Sequence, residues 1–203
     1  MLATGHQVLG FTFGVIAITI LQQFGIAPVH TMDVVLFFVF VLFGALLPDI
    51  DTPTSRLGSK FWRLFMLLFL VTLLVYLFFP QTLNTYREDL KIFVMMMIPV
   101  LVMLRGHRKM THSLLFLFVL WVYCQVIVEW MHVPWFYLYG LLAGVLSHLL
   151  GDYVTKKGIP LFYPLSRRYF RFIFTFRTGS VTEKTLVTAL VIYNVWVLIM
   201  NAT

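Results

Sequence analysis

Imidazoles and carboxylates in this chain gather where apolar runs give way to short polar segments. They are His6 in TGHQ, Asp49 and Asp51 in LLPDIDTP, His107 and His112 in GHRKMTHS, and His148 with Asp152 in SHLLGD. At the edge of an apolar span such groups are costly unless they find a partner or a metal. A mixed His/Asp donor set favours Zn²⁺ or Mn²⁺. A thiolate site is excluded, because Cys124 is the only cysteine and sits inside an apolar run, where it reads as a packing residue. Seven candidates exceed the four vertices of one tetrahedral site, so they serve one ion with groups that orient its ligands, or two ions. A bound metal lowers the pKa of its water towards ~7, which is the chemistry of metal-assisted hydrolysis.

Each motif also has a plainer reading. His148 and Asp152 stand at i, i+4 on one helical face, which is also the spacing of a simple helix-end hydrogen bond. The two carboxylates of PDID repel each other and so invite a cation, yet an ordinary solvated loop would look the same. GHRKMTHS reads as a basic loop with Ser113 capping the next helix. The metal reading rests on all of these segments meeting, so the elements that position them matter.

Hydrophobic residues make up 61% of the 203 and charged residues 11%, far below the roughly one-quarter charged fraction of soluble domains. This is the composition of an integral membrane protein. Apolar runs near 7–27, 33–47, 62–79, 91–104, 113–131, 135–151 and 185–200 predict an all-α, polytopic transmembrane bundle of about seven helices. The second and fourth runs are short for a span, since ~15 helical residues cover only ~22 Å. Pro28, Pro48, Pro80 and Pro134 fall between runs, Pro99 predicts a kink, and Asp33 and Thr182 are the expected caps of the second and last helices. No linker or repeat divides the chain, so one domain is expected over 1–203. MLATGHQVLG has no basic n-region, and the first run is expected to remain in the mature protein.

Basic residues follow alternate runs: Arg56, Lys60 and Arg63; Arg105, Arg108 and Lys109; then Lys156, Lys157, Arg167, Arg168, Arg171, Arg177 and Lys184. Only Arg87 and Lys91 remain for the other side. The positive-inside bias then places the N-terminus in the cytoplasm and the C-terminus outside, with all seven candidate ligands on the cytoplasmic face. His30 and His132 fall on the opposite face and are excluded from the site. The net charge of +7 is explained by topology and by anionic lipid at the basic loops, not by nucleic acid. Trp62, Trp130 and Trp135 suit the interfacial belts, and Met95 to Met97 suit helix packing.

The segments LLPDIDTPTSRLGS, GHRKMTHSLL and SHLLGDYVTKKGIPLFYP, preceded by the GH of His6, resemble in order the YdjM-like family of membrane-bound, metal-dependent hydrolases, LexA-regulated inner-membrane proteins of bacteria. The resemblance runs from position 5 to about 184. It implies the ligand set His6, Asp49, Asp51, His107, His112, His148 and Asp152, and TGSVTE adds Gly179, Ser180 and Glu183. The family is similar in turn to zinc-dependent phospholipase C, and that relation implies a phosphoester substrate. The stretch between PDID and GHR is longer here than in the shorter members. Under this reading Arg108 holds a phosphate, Lys156 or Lys157 adds positive potential, and Asp51 or Glu183 serves as general base.

Three functions are thus open to the sequence. The first is a metal-dependent hydrolase acting on a phosphoester of a membrane lipid, phospholipid or polyprenyl phosphate, at the cytoplasmic face. The second is a cation transporter or channel using the same His/Asp set. The third is a structural protein with a metal staple, which predicts a fully ligated site. Candidates clustered at one face, with little polar lining across the remaining depth, favour the first.

Overall fold

Helical periodicity and punctuation build five helices among the described residues: α1 (Ala3–Gln23), α2 (Thr31–Gly44), α3 (Leu114–Met131), α4 (Trp135–Tyr153) and α5 (Val181–Ala202). They belong to a computed structural model that describes residues 1–51 and 110–202, together with positions 60, 63, 64, 67, 68, 71, 75, 78 and 81. A 3-10 turn, Leu47–Asp51, follows α2. The chain divides into two compact units, 1–48 with 109–203, and 49–108. In the second unit the described positions between 60 and 81 are all helical, in keeping with the run at 62–79. The run at 91–104 and the expected kink at Pro99 lie outside the described residues. The expectation of an all-α fold holds among the described residues, and the count of seven is not confirmed, because the run at 91–104 lies outside them.

Three segments are long and apolar enough to cross a membrane, Ala3–Gln23, Thr31–Asp49 and Val181–Met200, and Leu114–Trp130 is a shorter apolar helix. By contrast α4 carries Ser147, His148 and Asp152. It can do so because it is the most covered helix, packed against α1, α2 and α3, while α5 packs on α1. A helix shielded by its neighbours is released from the need to present apolar surface to lipid.

Helix ends follow local chemistry. α1 closes in a Schellman motif: Gly25 adopts φ +69° and donates to Gln22 O, while Ile26 N–H reaches back to Leu21 O. Ser113 caps α3 as expected, its Oγ accepting from Phe116 N–H at 3.3 Å. The other two caps differ from expectation. α2 begins after His30, so Asp33 lies within its first turn and accepts a hydrogen bond from Tyr137. In α5 it is Ser180, two residues before Thr182, whose Oγ accepts from Glu183 N–H at 3.4 Å. Thr182 lies inside the helix, two residues past the position that caps it.

Small residues set the spacing between α2 and α4. A Cβ on Gly144 would stand 2.1 Å from Val41 O, and one on Gly44 would stand 2.3 Å from Leu141 O. Only glycine at both positions allows the two backbones to touch, the device that membrane helices use in place of a hydrophobic drive. Phe37, Val41 and Leu21 form the buried cluster beside this crossing. Between α1 and α5 the buried Thr12 hydroxyl donates to Asn194 Oδ1 at 3.1 Å, and Asn194 Nδ2 donates to Val8 O at 3.4 Å. These bonds hold the more exposed α5 in register with α1.

Candidate metal centre

The glycine crossing has a chemical consequence one turn further along α4. With the backbones this close, His148 Nδ1 lies 2.7 Å from Ala45 O. A carbonyl only accepts, so Nδ1 carries the proton and Nε2 presents a lone pair on the other side of the ring. That lone pair faces His112 Nε2 at 3.3 Å and Asp152 Oδ2 at 3.7 Å, and His112 Nε2 is itself 3.5 Å from Asp152 Oδ2. His112 arrives from the turn that starts α3, where its Nδ1 is 3.0 Å from the Thr111 hydroxyl.

His6 completes the group from the start of α1. Its ring stacks on that of His148 with centroids 3.8 Å apart and planes 10° from parallel, and its Nε2 is 3.2 Å from the other carboxylate oxygen, Asp152 Oδ1. The Met1 amino group donates to the same oxygen. His6 Nδ1 is buried and has no hydrogen-bond partner among the described residues. With Nε2–H bonded to the carboxylate, that nitrogen carries a lone pair, which is less costly to leave unpaired than a donor. His6 and His148 are almost wholly buried, at 1% and 0% exposure, and Asp152 keeps the largest opening of the group at 19% of its side chain.

These donors fit a divalent ion. At about 2.0–2.1 Å from each ligand, a tetrahedral ion separates its ligands by about 3.3–3.4 Å. The triangle of His112 Nε2, His148 Nε2 and Asp152 Oδ2 has sides of 3.3, 3.5 and 3.7 Å, and these residues form a group whose donor atoms all lie within 4.8 Å of one another. The His148 lone pair meets His112 Nε2 at 3.3 Å, with the Asp152 oxygen farther off at 3.7 Å, so a cation bound here would take the place of the proton between the two rings. The Ala45 carbonyl behind His148 and the Thr111 hydroxyl behind His112 are partners of the kind that orient metal-binding imidazoles.

Of the residues singled out in the sequence, His6, His112, His148 and Asp152 come together. Asp49 lies in the 3-10 turn and belongs to the unit 49–108. The Asp51 side chain, His107 and Arg108 lie outside the described residues. Glu183 is at the start of α5 with both oxygens engaged: Oε1 accepts from Leu2 N–H and Oε2 from Gly179 N–H, each at 2.7 Å. Ser180 Oγ caps Glu183 N–H while the Glu183 carboxylate holds Gly179 N–H just before the cap, and its other oxygen ties α5 to the start of α1. Lys156 and Lys157 are exposed in the segment after α4. Sequence reasoning missed Ala45 and Thr111, which act through a backbone carbonyl and a hydroxyl next to a histidine. It also missed the close crossing, although Gly140 and Gly144 are spaced as GxxxG.

Long apolar helices around a covered helix that carries buried His and Asp define an integral membrane protein with a candidate metal centre at one end of the bundle. A family model, the YdjM inner membrane protein, matches residues 1–202, and the chain belongs to that family. It is 38% identical over 93 residues to inner membrane protein YdjM of Escherichia coli (strain K12), covering 45% of this chain and 47% of that protein. The match to the Shigella flexneri protein of the same name has the same extent. An uncharacterized protein of Bacillus subtilis (strain 168), YvsG, is 33% identical over 85 residues, covering 42% of this chain and 50% of that protein. The chain thus spans about half the length of the curated relatives it matches. No solved structure matches.

Proposed function

We propose that this protein is a metal-dependent hydrolase acting on a phosphoester of a membrane lipid, a phospholipid or a polyprenyl phosphate, at the cytoplasmic membrane face. The observation that carries the reading is the triangle of His112, His148 and Asp152 donors at 3.3–3.7 Å. Three protein donors leave a tetrahedral ion one further vertex, the arrangement of catalytic rather than purely structural zinc. The ion, Zn²⁺ or Mn²⁺, when bound supplies a water acidic enough to be hydroxide near neutral pH and a Lewis acid for the phosphoryl oxygen.

The remaining work falls to the chain itself. His112 and His148 hold their rings through Thr111 and Ala45, and His6 steadies the carboxylate through its second oxygen. Asp49, Asp51 and His107 remain candidates for further ligands from their sequence motifs, with Asp51 also the candidate base and Arg108 the candidate phosphate anchor. Because α1 and α5 begin at the same end, joined through Leu2 and Glu183, two spanning helices would carry residues 3 and 200 to opposite sides. This supports termini on opposite sides, and the basic loops make the N-terminal side the cytoplasmic one.

Purified protein incubated with mixed phospholipids and polyprenyl phosphate, with and without chelator, tests the proposal. Chelator-sensitive loss of one lipid phosphoester is expected, and Arg108→Lys should slow it while leaving bound metal near normal. Absence of any such loss, alongside cation flux in proteoliposomes, would replace the hydrolase by a transporter.

A further inference from the structure

Between Tyr153 and Thr182 the chain carries Lys156, Lys157, Arg167, Arg168, Arg171 and Arg177 and no acidic residue. All six cations are exposed. The segment is nevertheless folded. Ile159 and Phe170 exchange both backbone hydrogen bonds, Phe172 N–H donates to Tyr153 O, Phe176 N–H donates to Val154 O, and Leu114 N–H at the start of α3 donates to Leu161 O. Gly158, at φ +65°, permits the closest approach, since a Cβ there would stand 2.4 Å from Phe170 O.

This framework holds apolar side chains outward. Leu165 is 94% exposed, Ile173 88% and Phe174 79%. Apolar groups interleaved with guanidinium groups are the composition of a surface that lies in the headgroup region, with rings and aliphatic groups below the phosphates and cations among them. Position selects the same partner. The segment leaves α4 after Tyr153, next to Asp152, and enters α5 at Val181, just before Glu183, so it emerges at the end of the bundle where the membrane surface would lie.

We propose that residues 154–180 form an interfacial platform that docks on anionic lipid, seating Leu165, Ile173 and Phe174 at the headgroup boundary and drawing Arg167, Arg168 and Arg177 to the phosphates. This stands apart from the hydrolase reading, because it requires no turnover at the His/Asp cluster. It adds a lipid-composition dependence that the cluster alone does not predict.

The test uses the full chain in lipid nanodiscs, with a nitroxide on Ile173→Cys, and separately on Phe174→Cys, in a Cys124→Ala background of verified monodispersity. In discs of phosphatidylcholine with phosphatidylglycerol, collision with a water-soluble nickel chelate should fall several-fold relative to phosphatidylcholine alone, and collision with oxygen should rise. Replacing Arg167, Arg168 and Arg177 together by Gln should abolish the difference. Equal nickel access in both lipids would overturn the proposal, as would equal insertion in both, which would remove the anionic requirement. Shielding from nickel and oxygen alike would also overturn it, showing that protein rather than lipid covers the patch.

Discussion

The two ends of the bundle solve the problem of buried polarity differently. At the end where α2 and α4 begin, Tyr137 donates to Asp33 Oδ1 at 2.6 Å, a donor matched to an acceptor. His30 precedes α2 and His132 ends α3 in the left-handed region at φ 51°, and both are exposed. At the other end one carboxylate meets three imidazoles, and the fixed lone pair of His148 faces His112 Nε2. The first end is complete with the protons it already holds. The second gathers His112, His148 and Asp152 donors at metal-ligand spacing, which is why chemistry is assigned to it alone.

The sharpest way to break this contrast is Asp152→Asn, which keeps the shape of the side chain and removes its charge. An amide is a much poorer ligand, so metal affinity should fall by more than about 100-fold, beyond the usual loss for an outer-shell partner. Metal titration of the purified variant checks it, with Asp33→Asn at the opposite end expected to bind as wild type does. Gly144→Ala should come next in size. Its Cβ would meet Val41 O at 2.1 Å, forcing α2 and α4 apart at a cost of about 1–3 kcal/mol or more. A lower melting temperature together with weakened metal binding would show that the crossing positions His148; lost stability with unchanged metal affinity would separate the two.

Glu183→Gln discriminates a base from a tie. Two backbone N–H groups lose a charged acceptor, so stability should fall by about 1–3 kcal/mol while turnover per folded molecule is retained. A loss of turnover without a loss of stability would return Glu183 to the chemistry. The smallest effect is expected for Tyr137→Phe, about 1 kcal/mol of stability from one hydrogen bond. Metal content should not change, since the substitution lies at the complete end.

The sequence made the helical membrane class legible, and much of the candidate centre, because both depend on residue type and run length. His6, His112, His148 and Asp152 could be named from their motifs. Their roles could not, because these depend on which atom faces which: Ala45 O fixing a tautomer, or Asp152 offering separate oxygens to His6 and His112. The start of α1 was read too late, with the apolar run opening at 7. Gly5 and His6 are buried by neighbouring helices and so need not be apolar to be helical. Glu183 was identified as important on the strength of its segment, but its carboxylate engages backbone groups that only the fold brings near.

Metal analysis of wild type, His148→Ala and His132→Ala, purified side by side with matched folding controls, tests the central claim most directly. The account predicts bound zinc or manganese in wild type and in His132→Ala, with strong loss in His148→Ala. Equal metal content in all three, or none in the wild type even after loading, would contradict it.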